Sequence, residues 1–231
     1  MKLIMFAGAG AVGKTKLLEA CVKLAETRRM RVAEHKSTTR KTYERHGYTQ
    51  ESDALSNPET NRLFQHEVMS DNIRALEETV CTAVGRRLDV VFADRTPHDY
   101  AAYYFTVFAD ILDIHTIQRK RDIADTALAR MHNEFDKRVE VVIYMLPFPC
   151  YWSVDTDSSD GWRRDTTGKN LLWSNSVEAE VANIKRRLEL EGFEQNHITV
   201  KRLPPFFENG TPEERAIGIL SEEFPLKSRF G

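Results

Sequence analysis

The sequence predicts an α/β fold built on a parallel sheet. Short apolar runs of strand length alternate five times with helical patterns along the 231 residues. Such alternation is typical of parallel sheets whose crossover helices cover both faces. In addition, the glycine-rich segment GAGAVGKT, residues 8–15, separates the first apolar run from the first helical pattern. Because ligands of parallel sheets bind at the carboxyl ends of the strands, we expect a binding crevice where this segment begins.

The strand predictions rest on apolar runs that are too short for helices. The run DVVFAD is continuous and ends in Asp94, as expected for a strand buried on both faces. The run VEVVIYML is stopped by Pro147. The five predicted strands cover residues 3–7, 31–35, 89–94, 139–146 and 197–203.

The helix predictions rest on apolar residues at helical spacing, such as Leu17, Leu18 and Cys21 in a helix that begins near residue 14. Residues 36–56 are polar and predict a loop with at most one helical turn. The stretch 149–175 shows no period, and its length predicts a functional lid or a disordered loop. The remaining predicted helices cover residues 58–85, 97–112, 122–137, 177–191 and 211–222.

Composition indicates one globular domain over residues 1–231, with the lid at about 149–175. Hydrophobic residues make up 41% of the chain and charged residues 29%, and the net charge of −2 neither predicts nor excludes a nucleic-acid partner. No apolar run reaches membrane-spanning length and no signal-peptide pattern is present, so we expect a cytoplasmic protein that does not enter a membrane. The cysteines, Cys21, Cys81 and Cys150, lack metal-ligand spacing, and we expect reduced thiols packed in the core.

The segment GAGAVGKT matches the pattern G-x-x-x-x-G-K-T in the strand–loop–helix context that makes it meaningful, so it predicts a phosphate-binding loop. Glycines leave backbone N–H groups free to face a phosphate chain, and the helix N-terminus adds partial positive charge. Lys14, exposed until phosphate binds, would reach the β- and γ-phosphates, and the Thr15 hydroxyl would hold Mg²⁺. We therefore expect ATP and Mg²⁺ as cofactors, with the nucleotide bound by Gly8, Ala9, Gly10, Ala11, Val12, Gly13, Lys14 and Thr15.

The segment ADRTPHDYAAYY places charged residues directly after the third strand. Asp94 is predicted to hold Mg²⁺ opposite Thr15, unless it is an ordinary strand-end aspartate that caps the next helix. Arg95 is predicted to grip a substrate phosphate, with a structural salt bridge as the alternative. Asp99 is a second candidate for substrate binding. It also suits the first turn of a helix that Thr96 caps and Pro97 begins.

A carboxylate and a basic loop follow the second strand. Glu34 lies at its end, across the expected crevice from the glycine loop, and is predicted to accept a proton from the acceptor hydroxyl. Lys36 and Arg40 belong to the hydroxyl-rich stretch HKSTTRKTYERHGY, which predicts a grip on a phosphorylated acceptor. In each case the alternative is a solvated surface group.

The predicted lid carries two further arginines and all three tryptophans. Arg163 and Arg164 are predicted to close over the transferring phosphoryl group, as catalytic arginines do in other phosphotransferases. Trp152, Trp162 and Trp173 either form a small apolar core within the lid or, in the case of Trp162, stack near a bound base.

The ordered set GAGAVGKT, STTR, Phe64-Gln65, ADRTPHDYAAYY and DGWR resembles a group of bacterial and phage P-loop kinases that includes nicotinamide-riboside-kinase-like domains and phage nucleotide kinases. The resemblance covers about residues 1–190. It implies a kinase core with strand order 2-3-1-4-5 and transfer of the ATP γ-phosphate. It also places Asp94 and Arg95 on the aspartate–arginine pair of the group, and Arg163 on its lid arginine.

Kinases of this type include enzymes for free deoxynucleotides and enzymes for 5-hydroxymethyluracil within DNA. The resemblance therefore implies a nucleotide-class acceptor, with the DNA base ranked first and a cytoplasmic location in the host if a phage encodes the chain. Free nucleotides or nucleosides, nicotinamide riboside included, are the alternatives, and an NTP-hydrolysing switch is an alternative of another class. A DNA substrate requires basic tracks, unless these are solvated helix faces. The candidates are residues 28–31, 118–121 and 185–187.

Overall fold

Five parallel strands form one sheet in the part of the chain that the computed structural model describes. The sheet order is β2-β3-β1-β4-β5, so the strand order implied by the resemblance is confirmed. The strands are β1 Lys2–Ala7, β2 Val32–His35, β3 Val90–Asp94, β4 Glu140–Met145 and β5 Ile198–Arg202. The described residues are 1–8, 13–48, 58–108, 112–133, 139–146, 168–184, 186–187, 198–203 and 211–225.

Helices cover both faces of the sheet, as the alternating sequence pattern predicts. Two of them begin with a threonine cap followed by proline, which satisfies backbone N–H groups at the helix start. The described helices are α1 Lys14–Thr27, α2 Thr39–Arg45, α3 Pro58–Gly85, α4 Pro97–Val107, α5 Ile114–Asn133, α6 Gly168–Ala182 and α7 Pro212–Glu223.

Several helix boundaries differ from the prediction, three of them by more than a few residues. Helix α5 begins at Ile114 rather than at residue 122, because the Asp113 carboxylate accepts hydrogen bonds from the backbone N–H and the hydroxyl of Thr116 and so starts the helix earlier. Helix α6 begins at Gly168, so the stretch expected to lack regular structure is helical from that residue onward. Helix α4 ends at Val107 instead of residue 112.

Helix α2 is longer than the single turn that the polar sequence predicts. It is held by the burial of Thr42 and Tyr43, and the Tyr43 ring meets the Phe64 ring edge-on with 4.6 Å between centroids. An edge-to-face arrangement of this kind is favourable beyond the area that it buries. Tertiary contact therefore overrides the weak local signal.

Two apolar clusters of described residues stabilise the fold. The larger lies around the sheet, where Phe6 of β1 stands between Phe92 of β3 and Tyr144 of β4, 6.4 Å from each ring centroid. The smaller joins helices α2 to α5 and contains Tyr43, Phe64, Val68, Met69, Ile73, Tyr100, Ala101, Ala124 and Ala127. This second cluster supports the segments at one side of the expected crevice.

The cysteines only partly follow the prediction. Cys21 is buried in the main core, and burial raises the pKa of its thiol to about 12. Cys81 is exposed on α3, so its expected core position is wrong. Cys150 lies outside the described residues.

Among the described residues, no helix combines the length and the apolar character needed to cross a membrane.

Candidate functional site

The carboxyl ends of β1 and β3 bring together two segments that are far apart in sequence. Phe6 pairs with Asp94 in the parallel register, and the Arg95 N–H donates to the Phe6 carbonyl over 3.1 Å. Gly8 and Arg95, which follow these strands, therefore start from neighbouring positions at the edge of the sheet.

Thr15 and Asp94, the two residues predicted to hold a metal, are in contact. The Thr15 hydroxyl donates to Asp94 Oδ2 over 2.7 Å. The other oxygen, Asp94 Oδ1, is buried and has no hydrogen-bond partner among the described residues. A buried carboxylate oxygen without a partner carries a large desolvation cost. A hydroxyl and a carboxylate side by side are hard oxygen ligands that fit Mg²⁺.

Lys14 is buried instead of exposed as expected. Its ammonium donates to the Gly8 carbonyl over 2.7 Å, and the residue is 5% exposed. An ammonium at this position needs an acceptor, and the carbonyl at the start of the glycine loop supplies one. Ala9, Gly10, Ala11 and Val12 lie outside the described residues. Gly8 and Gly13, which flank them, have φ values of 150° and 85°, conformations that glycine adopts most readily.

Asp99 joins the glycine loop to α4. Its Oδ1 accepts from the Gly8 N–H over 2.8 Å, and its Oδ2 accepts from the Thr96 N–H and hydroxyl over 2.9 and 2.6 Å. The side chain is fully buried. Both oxygens are therefore engaged within the protein, and the capping role that the sequence offered for Asp99 is present.

Arg95 has a strained backbone next to Asp94. Its φ is 104°, a region that non-glycine residues enter rarely and at a cost in energy. The guanidinium lies over the Tyr100 ring, 5.6 Å from its centroid. Burial opposes its charge, but Tyr100 and the carboxylates of Asp94 and Asp99 raise the pKa of Arg95 above its usual value. Such strain beside a candidate metal ligand is typical of functional sites.

Glu34 is exposed and lies beside the ammonium of Lys36. Lys36 Nζ lies 3.6 Å from Glu34 Oε1 and 3.2 Å from Glu19 Oε1 on α1. The buried neighbour His35 was missed in the sequence. Burial lowers the pKa of His35 to about 4, although the charge of Asp94 opposes this shift, so His35 is neutral at pH 7.

The segment after β2 is anchored by Asn72 and Tyr100, neither of which was predicted as a site residue. Asn72 of α3 is fully buried, and its Oδ1 accepts from the Thr38 N–H over 2.7 Å and from the Tyr100 hydroxyl over 2.8 Å. The Ser37 hydroxyl also donates to Asn72 Oδ1, over 3.1 Å. Arg40 is exposed on α2. A buried asparagine in a helical apolar pattern was the one available signal.

Several cations of the predicted basic tracks are engaged within the protein. Arg31 pairs with Asp89 over 2.9 Å, Arg121 with Glu180 over 2.6 Å, and Arg187 with Asp125 over 2.7 Å. These tracks therefore contribute fewer free charges than the sequence suggests. Among the predicted lid residues, Trp173 lies in α6, whereas Arg163, Arg164, Trp152 and Trp162 lie outside the described residues, as does Lys185.

A search of the sequence against protein-family models and against curated proteins found no match. The function is therefore inferred from the geometry of the site.

Proposed function

We propose that this protein is an ATP-dependent kinase that transfers the γ-phosphate to a nucleotide-class acceptor. The observation that carries the proposal is the contact between Thr15 and Asp94, whose second carboxylate oxygen is buried without a partner. The pattern G-x-x-x-x-G-K-T and a carboxylate at the end of a neighbouring parallel strand are the two parts that a nucleotide-dependent phosphotransferase needs.

The glycine loop would hold the triphosphate. Lys14 would leave the Gly8 carbonyl and move to the β- and γ-phosphates, because a phosphate dianion is a stronger acceptor for an ammonium than a carbonyl is. Mg²⁺ bound at Thr15 and Asp94 would neutralise negative charge on the phosphates. The fixed position of Gly8 on Asp99 would keep the loop in place during this exchange.

The acceptor would lie beside Arg95 and the segment that Asn72 holds. Arg95 and Arg40 would contact acceptor phosphates, with Lys36 nearby. Glu34 would take the acceptor proton only if its side chain left the ion pair with Lys36. Arg163 and Arg164 would close over the γ-phosphate. The first acceptor that we propose is the hydroxymethyl group of 5-hydroxymethyluracil in DNA, followed by free deoxynucleoside monophosphates and nucleosides.

The proposal is tested by incubating the protein with Mg²⁺ and γ-labelled ATP together with DNA containing 5-hydroxymethyluracil, deoxynucleoside monophosphates, or nucleosides including nicotinamide riboside. Label in one acceptor is expected. Lys14→Ala and Asp94→Asn should each lower the rate at least about a hundredfold, the order of magnitude for loss of a group that stabilises transition-state charge.

Asp122→Asn is the matched control for Asp94→Asn, because Asp122 is exposed on α5 and bonds only Gln118 among the described residues. It should leave the rate unchanged. ATP hydrolysis that no acceptor stimulates would instead favour a regulatory switch. Full activity of folded Lys14→Ala would contradict the nucleotide role of the loop.

A further inference from the structure

Lys120 of α5 is a buried ammonium with an unusual set of neighbours. The residue is 6% exposed. Its Nζ lies 2.7 Å from His66 Nδ1 on α3 and 4.3 Å from the centroid of the Tyr104 ring on α4. Because an ammonium only donates hydrogen bonds, His66 Nδ1 is the acceptor in this pair. Three helices thus meet at one positive charge.

No carboxylate among the described residues forms an ion pair with Lys120. Burial and the nearby charges of Arg119 and Arg62 lower the pKa of Lys120 to about 8, so it is still mostly protonated at neutral pH. Arg62 and Arg119 are exposed and likewise form no ion pair with the side chains that the structure describes, which do not include those of residues 58–60. We refer to Arg62, Arg119 and Lys120 as the cationic cluster.

Neighbouring cations, by contrast, do form ion pairs. Arg121, the next residue, forms a bidentate pair with Glu180, and Arg187 is paired with the buried Asp125. Asp113, whose charge acts on Tyr104, has its carboxylate oxygens bonded to Thr116. A buried charge is normally paired because removing it from water is costly. Among the side chains that the structure describes, the cluster therefore has no counter-ion of the kind that Arg121 and Arg187 have.

The cluster lies close to the segment expected to hold the acceptor. Tyr104 follows Tyr100 by one turn of α4, a rise of about 6 Å. The Tyr100 hydroxyl donates to Asn72 Oδ1 over 2.8 Å and lies 3.1 Å from Ser37 Oγ. His66 and Asn72 are also separated by less than two turns, on α3. Helices α3 and α4 therefore carry the contacts that anchor residues 37–39 and, about one turn further, His66 and Tyr104, which contact Lys120 of the cationic cluster.

We propose that Arg62, Arg119 and Lys120 form a binding site for a phosphate group of the acceptor, separate from the site for the ATP phosphates. The two exposed guanidiniums would make the direct contacts, since their planar donors match phosphate oxygens. The buried ammonium of Lys120 would add positive charge to the site. This inference deepens the proposed function. It rests on the kinase proposal only in identifying the phosphate-bearing ligand as the acceptor.

The test is equilibrium binding of the full chain to a labelled single-stranded oligonucleotide, measured by fluorescence anisotropy at several salt concentrations without ATP or Mg²⁺. Unlabelled deoxynucleoside monophosphate and inorganic tripolyphosphate serve as competitors. The variants are Arg62→Gln, Arg119→Gln, the double variant and Lys120→Met. Arg74→Gln is the matched control, because Arg74 is exposed on α3 and has no ion pair with the described residues.

The double variant should bind more weakly, and the slope of log K against log salt should fall by about 0.7 for each cation removed, as for single-stranded nucleic acid. Loss of oligonucleotide binding without competition by the small phosphates would identify a nucleic-acid backbone as the source of the phosphate. Effective competition would identify a free nucleotide.

Unchanged affinity and slope in the double variant would overturn the proposal, as would an equal loss in Arg74→Gln. Because the two arginines are exposed, this result does not depend on Lys120→Met folding. The binding test measures no turnover, so its result can be interpreted even if the kinase assay shows no activity. Conversely, a negative binding test does not contradict the kinase proposal.

Discussion

Asp99 shows how one side chain fixes two parts of the site. A carboxylate accepts from Gly8 and from Thr96 at once, whereas an amide has only one accepting oxygen. Asp99→Asn should therefore destabilise the protein by about 1–3 kcal/mol, the cost of a buried group left unsatisfied. It should also weaken ATP binding, because the glycine loop loses its anchor. Denaturant unfolding and ATP titration measure the two effects.

Glu214→Gln is the matched control for Asp99→Asn. Glu214 completes the same type of capping box at the start of α7, with Thr211, and holds no loop. It should change stability only slightly, because a glutamine oxygen can accept the same bond from the Thr211 N–H, and leave ATP affinity unchanged. If the two variants had the same ATP affinity, the link from Asp99 to Gly8 would have no role in nucleotide binding.

Lys120 allows a prediction about stability and pH. The pKa of Lys120 is about 8 in the folded protein, below its ordinary value of 10.5, because burial, Arg119 and Arg62 disfavour its charge. Between these values the unfolded chain binds more protons than the folded protein, so this residue makes stability rise with pH. Lys120→Met should be the more stable protein at pH 7, and its advantage should shrink as the pH rises from about 8 towards 10.5.

Urea unfolding of wild type and Lys120→Met across that pH range measures the difference, and His66 is neutral throughout because its own pKa is lowered. A constant difference would mean that Lys120 titrates normally. A difference that grew with pH would mean that the folded protein stabilises the charged form of Lys120, whereas its buried position beside Arg119 and Arg62 predicts the opposite.

At the scale of elements, α3 positions the segment after β2 through one asparagine. Asn72 accepts from Thr38 and Tyr100 and donates to the Val68 carbonyl over 2.7 Å. Asn72→Ala should leave the Thr38 N–H without its side-chain acceptor and loosen residues 37–39. We expect a raised KM for the acceptor and an unchanged KM for ATP, measured by steady-state kinetics once an acceptor is identified.

Asn183→Ala is the control, since Asn183 makes the same bond to the backbone carbonyl four residues earlier and holds no loop. Equal changes in both KM values for Asn72→Ala would indicate a general loss of structure. No change in either would show that the segment does not contact the acceptor.

The elements also show which parts of the structure were predictable. The helix over 58–85 and the strand ending at Asp94 follow from clear local patterns: both ends of the helix and the last residue of the strand were predicted correctly. Helix α2 and the start of α5 depend on a tyrosine packed against α3 and on a single capping aspartate, which weigh little in a periodic pattern.

The candidate site was predictable to the same extent. Thr15 and Asp94 were expected to meet because each follows a rule that relates sequence to strand ends. The contact of Asn72 with Thr38 and of Lys120 with His66 joins elements that no spacing rule connects. Long-range polar contacts therefore account for most of what the sequence did not reveal.

For the whole molecule, the sheet order explains why a ligand at its carboxyl edge should stabilise the entire fold. The glycine loop leaves the central strand β1, Asp94 ends the adjacent β3, and the core around Phe6 connects both to β4. A nucleotide that binds only the folded state shifts the unfolding equilibrium of the whole cooperative unit.

We therefore predict that a non-hydrolysable ATP analogue with Mg²⁺ raises the melting temperature. At about a hundred times its dissociation constant, a ligand adds about 2.7 kcal/mol, which for a chain of this size corresponds to about 5–10 °C. Differential scanning calorimetry measures the shift. In Asp94→Asn the shift with the nucleotide alone should persist, while the further increase caused by Mg²⁺ should disappear. A shift that is equally large in Lys14→Ala would place the nucleotide elsewhere on the protein, and no shift in the wild type would contradict nucleotide binding altogether.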